Sequence, residues 1–157
     1  MRLLERLGRF SDRLFDGLRS KRAFTLTHDD AISGNFESLR HHKYAVVVTF
    51  RRNGDPVPSP VWFCVDARGR AYLKTRYDAG KVKRLRIDSR TLIAGSNVRG
   101  KPTGPALRGT GRVLPKEEWA HAEETLAAAY GAGRRISERV LGGPEEMGAY
   151  IEITPSR

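Results

Sequence analysis

The stretch that decides the fold is residues 44–66, YAVVVTFRRNGDPVPSPVWFCVD. Two runs rich in β-branched and aromatic residues are joined there through Asn53-Gly54. Asn-Gly between such runs is the strongest local hairpin signal, because both residues tolerate the positive φ of a type I′ turn. We therefore predict that a strand over Tyr44–Arg52 pairs with a second strand over Val57–Asp66.

The second of these strands begins with prolines at alternate positions, Pro58 and Pro60. A proline has no N–H to donate to a β-ladder. The start of this strand is therefore expected at a sheet edge, at a bulge, or where a ligand replaces a neighbouring strand.

Four further segments have the composition of strands: AYLKTR (71–76), TLIAGSN (91–97), ALRGTGRVL (106–114) and GAYIEITP (148–155). Six consecutive antiparallel strands are too many for a small open sheet in so short a chain. The sequence predicts a mainly β fold with peripheral helices, in which a six-stranded sheet closes into a barrel.

Helical signals lie between and before the strands. Apolar residues at helical spacing predict an amphipathic helix over residues 1–22, which we expect to dock on its own domain or on a partner subunit rather than to lie in a membrane interface; the single domain then spans 23–157. Two short helices are predicted in FESLRHH, with Asn35 as N-cap, and over Ala79–Ile87, with Asp78 as N-cap. A longer helix begins at Pro115 and ends at Gly131, with Trp119, Ala122, Leu126 and Ala129 on one face. A last helix is predicted in ISERVLGG.

Composition limits the partners. The chain has 157 residues, a formal net charge of +11 and one cysteine, Cys64, so it attracts anions and has no intrachain disulfide. No apolar run reaches the roughly 18 residues needed to span a bilayer. We expect a cytoplasmic protein without stable membrane insertion; charge alone does not choose among nucleic acid, acidic lipid and an anionic small molecule.

The chain has no self-sufficient catalytic motif, such as a nucleophile elbow, a metalloprotease helix, a P-loop or a dinucleotide-binding turn. The histidines lack ligand spacing and are interpreted as surface residues, so no metal site is predicted. Glu117 and Glu118 lie in the first turn of a predicted helix, where the helix dipole favours carboxylates without any catalytic role.

The basic stretch AGKVKRLR, residues 79–86, follows directly behind a predicted strand. Such a run is typical of a solvated helix face. Lys81 and Arg84 are nevertheless one turn apart, Gly80 opens the helix, and the strand before it ends in Lys74 and Thr75. Their convergence at one mouth of the barrel favours a clamp for a phosphate or a similar anion.

The segments VVVTFRRNGDPVPSPVWFCVD, YLKT, GKVKRLR and GPALRGTGRV, in this order, resemble the flavin and deazaflavin oxidoreductases related to pyridoxamine 5′-phosphate oxidase, specifically the subgroup that uses coenzyme F-420. The resemblance covers about Phe36 to Pro155. It implies a six-stranded split β-barrel homodimer that holds a flavin-like ring in a groove between subunits. It also implies hydride transfer from the reduced cofactor to a small organic acceptor.

The resemblance assigns the cofactor contacts residue by residue. Lys81 matches the lysine that grips the phosphate, with Arg84 and the backbone of Gly80 and Val82 as helpers, and Thr75 matches the family's threonine. The segment SPVWF matches the strand that lines the ring, which implies roles for Pro60, Val61 and Trp62. Trp62 is equally compatible with an ordinary core position.

The choice of cofactor depends on a departure from the oxidase branch, which often has serine and arginine where this chain has Ala79 and Gly80. That departure disfavours FMN, and a basic groove suits the polyglutamate tail of coenzyme F-420. An FMN-dependent oxidase or reductase, a non-catalytic flavin carrier and a nucleic-acid-binding module stay as alternatives. Few aromatic residues interleave with the basic run, which disfavours nucleic acid.

Overall fold

The computed structural model describes residues 23, 25–141 and 148–157 of the chain. The predicted amphipathic helix of residues 1–22 lies outside the described residues. Seven antiparallel strands form one sheet, in the order β2-β1-β5-β6-β7-β4-β3. They are β1 (Tyr44–Phe50), β2 (Pro56–Trp62), β3 (Cys64–Val65), β4 (Ala71–Arg76), β5 (Arg90–Ser96), β6 (Leu107–Val113) and β7 (Gly148–Pro155).

Helices lie at the periphery of the sheet, as predicted. The α-helices are α1 (Gly80–Leu85) and α2 (Trp119–Leu141), and short 3₁₀ helices occupy Glu37–Leu39 and Lys116–Glu118. The fold is therefore mainly β, with the strands of a split barrel.

The predicted hairpin is confirmed, since β1 pairs with β2 from Tyr44 opposite Trp62 to Phe50 opposite Pro56. The predicted type I′ turn is wrong. Gly54 has a φ of 89°, but no described residue other than glycine has a positive φ. The turn is instead closed by the Gly54 N–H on the Arg51 carbonyl at 2.9 Å, so only one residue has to adopt the left-handed conformation.

The predicted second strand is divided at Phe63, and this raises the strand count from six to seven. Residues before Phe63 pair with β1, whereas Cys64 and Val65 pair with Tyr72 and Ala71 of β4. The two outermost strands of the sheet, β2 and β3, are thus consecutive in the chain. Because one residue joins them, the sheet has to curve until its two edges meet.

The alternating prolines of β2 lie at an edge of the sheet, as one of the sequence-based expectations required. Pro56, Pro58 and Pro60 face Phe50, Val48 and Val46 of β1. Backbone N–H positions two residues apart point to the same side of a strand. The outer edge of β2 therefore lacks N–H donors at residues 56, 58 and 60, while β1 pairs with the other side.

Three apolar clusters pack on the sheet. The barrel interior contains side chains from β1, β2, β4, β5, β6, β7 and α1, including Val47, Val61, Leu73, Val82 and Ile151. Outside the barrel, Ala23 and Ala31 cover Val46, Val48 and Leu92, and α2 covers Tyr72 and Tyr150 through Ala122 and Leu126. The interior cluster thus places α1 at one mouth of the barrel.

Several details of the helices differ from the predictions. Asn35 accepts the Glu37 N–H at 3.1 Å, but the segment forms a single 3₁₀ turn. The predicted stop at Gly131 is confirmed, since its φ of 55° and ψ of −141° are not helical and divide α2 into two helical segments, the second of which ends at Leu141 within the predicted helix ISERVLGG. Ala129 is exposed rather than inward, and Tyr130 packs toward the sheet instead.

A buried carboxylate joins the sheet to its charged outer surface. Glu152 is 5% exposed and accepts hydrogen bonds from Arg112 Nε and the Tyr72 hydroxyl, both at 2.8 Å. Burial raises the pKa of Glu152, but the bonds from Arg112 and Tyr72, together with the charge of Arg70, outweigh burial and hold the pKa below its usual value. The ionised form is thus favoured in the folded protein.

This arrangement predicts a pH-dependent contribution to stability. A carboxyl group whose pKa is lowered by folding stabilises the fold above its unfolded pKa, and that contribution is lost as pH falls through the folded pKa. We expect Glu152→Gln to lower the free energy of unfolding by about 1 to 3 kcal/mol at neutral pH, because it weakens the buried charge-assisted hydrogen bonds with Arg112 and Tyr72. Urea denaturation between pH 3 and 7 should show the difference shrinking at the acidic end.

Glu118→Gln is the matched control, since Glu118 contacts the same Arg112 at 2.6 Å but is 46% exposed. An exposed ion pair contributes about 0 to 1 kcal/mol. Equal losses in the two variants would contradict the role given to Glu152.

Candidate functional site at the mouth of the barrel

Two cations of α1 are held by threonine hydroxyls at the mouth of the barrel. Lys81 Nζ donates to Thr75 Oγ1 at 3.0 Å, and Arg84 Nε donates to Thr49 Oγ1 at 2.7 Å. Each hydroxyl accepts a hydrogen bond and orients the cation that donates it. The sequence predicted Lys81, Arg84 and Thr75 as neighbours; Thr49 was missed because it lies in another strand.

Gly80 permits the close approach of Arg84 to the start of the helix. A Cβ atom on residue 80 would lie 2.7 Å from Arg84 Nη1. The guanidinium therefore folds back over Gly80. Val82, the other predicted helper, buries its side chain completely in the interior cluster, so only its backbone is left for a ligand.

Asp78 does not cap α1, contrary to the prediction. The residue at the N-cap is Ala79, which has no side-chain cap. Asp78 instead accepts two hydrogen bonds from Arg76, at 2.9 and 2.7 Å, and these hold the pKa of its carboxyl group below the usual range. Its charge is thus paired with Arg76 rather than directed at the start of the helix.

Lys74 lies on the opposite face of the sheet from Thr75, because successive side chains of a strand alternate. Its Nζ atom is 5.6 Å from the ring centroid of Tyr150, which belongs to the outer cluster under α2. The structure therefore brings Thr75 to Lys81 but directs Lys74 elsewhere.

The predicted ring-lining residues also divide between two faces. Val61 packs in the barrel interior, so Pro60 and Trp62, its neighbours in β2, point outward. Trp62 is 37% exposed and stacks on Tyr130, with ring centroids 5.3 Å apart and an interplanar angle of 18°. The ring of Tyr44 meets Trp62 edge-on at 6.0 Å.

Tyr130 ties this aromatic group to the point where the chain leaves β2. Its hydroxyl accepts the Phe63 N–H at 3.0 Å, donates to the Lys43 carbonyl at 2.6 Å, and contacts the Phe63 carbonyl. Burial raises the pKa of Tyr130 to about 12, so the hydroxyl keeps its proton at neutral pH. Tyr130 was not predicted; its one signal in the sequence is its place before the helix-breaking Gly131.

The glycine- and proline-rich loop after β5 packs beside Pro60. A Cβ atom on Gly100 would lie 2.8 Å from the Pro60 ring, and Pro102 forms a bridge with Ser96. This loop was predicted to influence substrate choice, and its position beside the outer edge of β2 is compatible with that prediction.

Histidine and acidic side chains were the other candidates for a functional site. His121 is 59% exposed and contacts Asp66 at 3.0 Å. Within the described residues, no group of three or more His, Cys, Asp or Glu side chains is arranged to hold a metal ion. None of the helices in this part of the chain combines the length and apolarity of a membrane span.

The pairing register separates the cations from the aromatic group. Trp62 lies opposite Tyr44, five positions along β1 from Thr49. At about 3.3 Å per residue this is roughly 16 Å. The candidate site thus has a cationic end inside the barrel mouth and an aromatic end outside it.

Comparison with known proteins identifies the fold independently. The sequence profile of the family described as pyridoxamine 5′-phosphate oxidase matches residues 35–150. The sequence has no significant match among curated proteins.

Solved structures with the same fold have low sequence identity. A heme storage protein from Vibrio cholerae has a TM-score of 0.57 and 12% identity, over 79% of this chain and 92% of that one. A conserved hypothetical protein from Mycobacterium tuberculosis has a TM-score of 0.55 and 16% identity, over 83% and 86% of the chains. An FAD-binding protein from Mesorhizobium loti has a TM-score of 0.54 and 12% identity, over 76% and 83%.

Removal of the Tyr130 hydroxyl should destabilise the chain at Phe63, between β2 and β3, and make the side chain of Trp62 more mobile. Tyr130→Phe keeps the stacked ring and leaves the Phe63 N–H without its acceptor. We expect the free energy of unfolding to fall by about 1 to 3 kcal/mol, the usual effect of an unsatisfied buried donor. Urea denaturation measures that loss, and acrylamide quenching in a Trp119→Phe background should show Trp62 becoming more accessible.

Tyr44→Phe is the control for Tyr130→Phe, since it removes a hydroxyl from the other ring that contacts Trp62. We expect Tyr44→Phe to leave the quenching of Trp62 within about a tenth of the wild-type value. Equal quenching in wild type and Tyr130→Phe would show that the hydroxyl does not position Trp62.

Proposed function

The chain belongs to the pyridoxamine 5′-phosphate oxidase family, and on that premise we propose that it is an oxidoreductase dependent on the deazaflavin coenzyme F-420. In this proposal a hydride passes from the reduced cofactor to a small organic acceptor. The observation that carries it is the pair of α1 cations oriented by threonine hydroxyls, Lys81 by Thr75 and Arg84 by Thr49.

The fit of the cationic end supports an anionic arm on the ligand. Lys81 is partly buried and donates a hydrogen bond to Thr75, so its ammonium group is held in place. Two oriented cations one helical turn apart match a phosphate, and the net charge of +11 favours a further anionic tail. The predicted contribution of the Gly80 and Val82 backbones stays part of the proposal.

The fit of the aromatic end supports a planar ring. One side of Trp62 stacks on Tyr130, and Trp62 and Pro60 belong to the edge strand β2, whose outer edge lacks N–H donors at its three prolines. Such an edge offers carbonyl acceptors to a ring that carries N–H groups. The FAD-binding protein with the same fold supports a ligand with a flavin-like ring over an anionic ligand that lacks one.

In this mechanism the cofactor supplies the hydride, and the protein supplies position and charge complementarity. Lys81 and Arg84 bind the anionic arm, Trp62 and Pro60 limit the ring's orientation, and the loop over Gly100 restricts access of the acceptor. Holding donor and acceptor in reactive geometry lowers the barrier without an amino-acid nucleophile. This agrees with the absence of a catalytic motif from the sequence.

The proposal includes a homodimer whose cofactor groove lies at the subunit interface, in a reducing compartment such as the cytoplasm. Cys64, the single cysteine, is buried, as expected of a structural thiol. Analytical ultracentrifugation of the chain with and without cofactor measures the assembly.

The first test is a fluorescence titration of the purified protein with coenzyme F-420 and, separately, with FMN. We expect coenzyme F-420 to bind more tightly, since FMN lacks the polyglutamate tail. Retention of FMN through purification, together with no binding of coenzyme F-420, would favour the FMN-dependent alternative. Binding of nucleic acid that weakens steeply as the salt concentration rises would favour the alternative of a nucleic-acid-binding module.

Lys81→Ala tests the clamp directly. We expect it to weaken binding of coenzyme F-420 by about 1.5 to 3 kcal/mol, the range for a charge-assisted hydrogen bond, without unfolding the domain. Lys83→Ala is the matched control: it removes the same charge from the same helix, at an exposed position. Equal effects of the two substitutions would show that only net charge matters, and an unchanged affinity in Lys81→Ala would refute the clamp.

A non-catalytic carrier is the second candidate. The heme storage protein from Vibrio cholerae shares the fold, and the chain has no catalytic side-chain motif. A turnover screen of quinones, tetrapyrroles and unsaturated lactones with reduced coenzyme F-420 separates the two candidates. Tight cofactor binding without oxidation by any acceptor would favour the carrier.

A further inference from the structure

We infer that Thr49 is a positioning residue for ligand binding, which acts by fixing the guanidinium of Arg84 at the mouth of the barrel. This inference rests on the proposed function, in which Arg84 contacts the anionic arm of the cofactor. It adds a residue from the first strand to a site that is otherwise built around α1.

Thr49 is a polar residue in an otherwise apolar stretch of β1. Its side chain is completely buried, and its hydroxyl accepts the Arg84 Nε–H at 2.7 Å. Thr49 is two positions from Val47 and therefore shares its interior face. A buried hydroxyl in a core strand needs a partner, and the partner here is a cation of the candidate site.

The position of α1 makes this contact possible. Val82 and Leu85 of α1 pack in the same interior cluster as Val47. They hold the helix against β1, and Arg84, which lies between them in sequence, extends along the strand to Thr49. The contact links residues 35 positions apart, so it joins a cation of the helix to the sheet.

Gly80 limits the guanidinium from the other side. Arg84 Nη1 lies 2.7 Å from the position that a Cβ atom on residue 80 would take. The guanidinium therefore occupies a gap whose walls are Thr49 and the backbone of Gly80. Two limits on one flexible side chain reduce the conformational entropy that is lost when an anion binds.

The geometry gives Thr49 and Gly80 distinct effects. Thr49→Val keeps the shape and removes the acceptor from Arg84 Nε. Thr49→Ser keeps the acceptor and removes the methyl group. Gly80→Ala leaves Thr49 intact and displaces the guanidinium by its added Cβ atom. In an Arg84→Ala background the guanidinium is absent, so Thr49→Val can no longer act through its position.

The experiment measures the Arg84 side chain and ligand binding separately. Nitrogen-15 NMR measures the rate at which the Arg84 Nε–H exchanges with water, and this measurement needs no cofactor. We expect this exchange to be slow in the wild type and in Thr49→Ser, and at least about tenfold faster in Thr49→Val and in Gly80→Ala. Fluorescence titration with coenzyme F-420 should show about tenfold weaker binding in those two variants and less than about threefold in Thr49→Ser.

The outcomes separate this inference from the proposed function. Unchanged Nε–H exchange in Thr49→Val and Gly80→Ala overturns the inference whether or not a cofactor binds. Faster exchange with unchanged affinity also overturns it, because Arg84 would then be fixed without benefit to binding. An effect of Thr49→Val that persists in the Arg84→Ala background shows a general loss of stability instead. Failure of the wild type to bind coenzyme F-420 refutes the proposed cofactor and leaves the exchange measurement to decide the role of Thr49.

Discussion

The rest of the fold depends on one constraint, which is that Phe63 alone joins the two edges of the sheet. β2 is the neighbour of β1 and β3 is the neighbour of β4, at opposite ends of the strand order. The sheet can satisfy both pairings only by curving into a barrel. The barrel stays split because the prolines of β2 deprive its outer edge of donors, and the Tyr130 hydroxyl, not a neighbouring strand, pairs with the Phe63 backbone.

Most of the fold could be predicted because strand formation depends on local patterns. The strand-like composition of AYLKTR predicted β4 with the bounds it has, Ala71–Arg76, and Asn53-Gly54 predicted the hairpin. The division at Phe63 could not be predicted, since VWFCV is apolar without a break and the change of partner depends on Tyr130 far along the chain. The turn type and the Asp78 cap failed because neighbouring groups competed: a single left-handed glycine sufficed, and Arg76 paired with the carboxylate.

The site was predictable only where its residues are close in sequence. Lys81 and Arg84 are one helical turn apart, and Thr75 ends the preceding strand, so local spacing placed all three at one mouth of the barrel. Thr49 and Tyr130 belong to the site because of contacts between segments that are distant in sequence, and no local sequence pattern predicts such contacts. The geometry of β4 separates Lys74 from Thr75, since adjacent side chains of a strand cannot share a face. Fewer residues therefore meet at the site in the folded protein than are adjacent to it in the sequence.

The division between interior cations and outward aromatic rings restricts how a single ligand can use both. Val61 faces the interior cluster with Val82, whereas its neighbours Pro60 and Trp62 face outward. Because β1 occupies the paired side of β2, the outer edge of β2 is the side left for a molecule that contacts both Arg84 and Trp62 across this strand. That edge has no N–H donors at the three prolines, so another strand gains little by pairing there. The prolines therefore disfavour pairing of a competing β-strand along this edge, between the two ends of the candidate site.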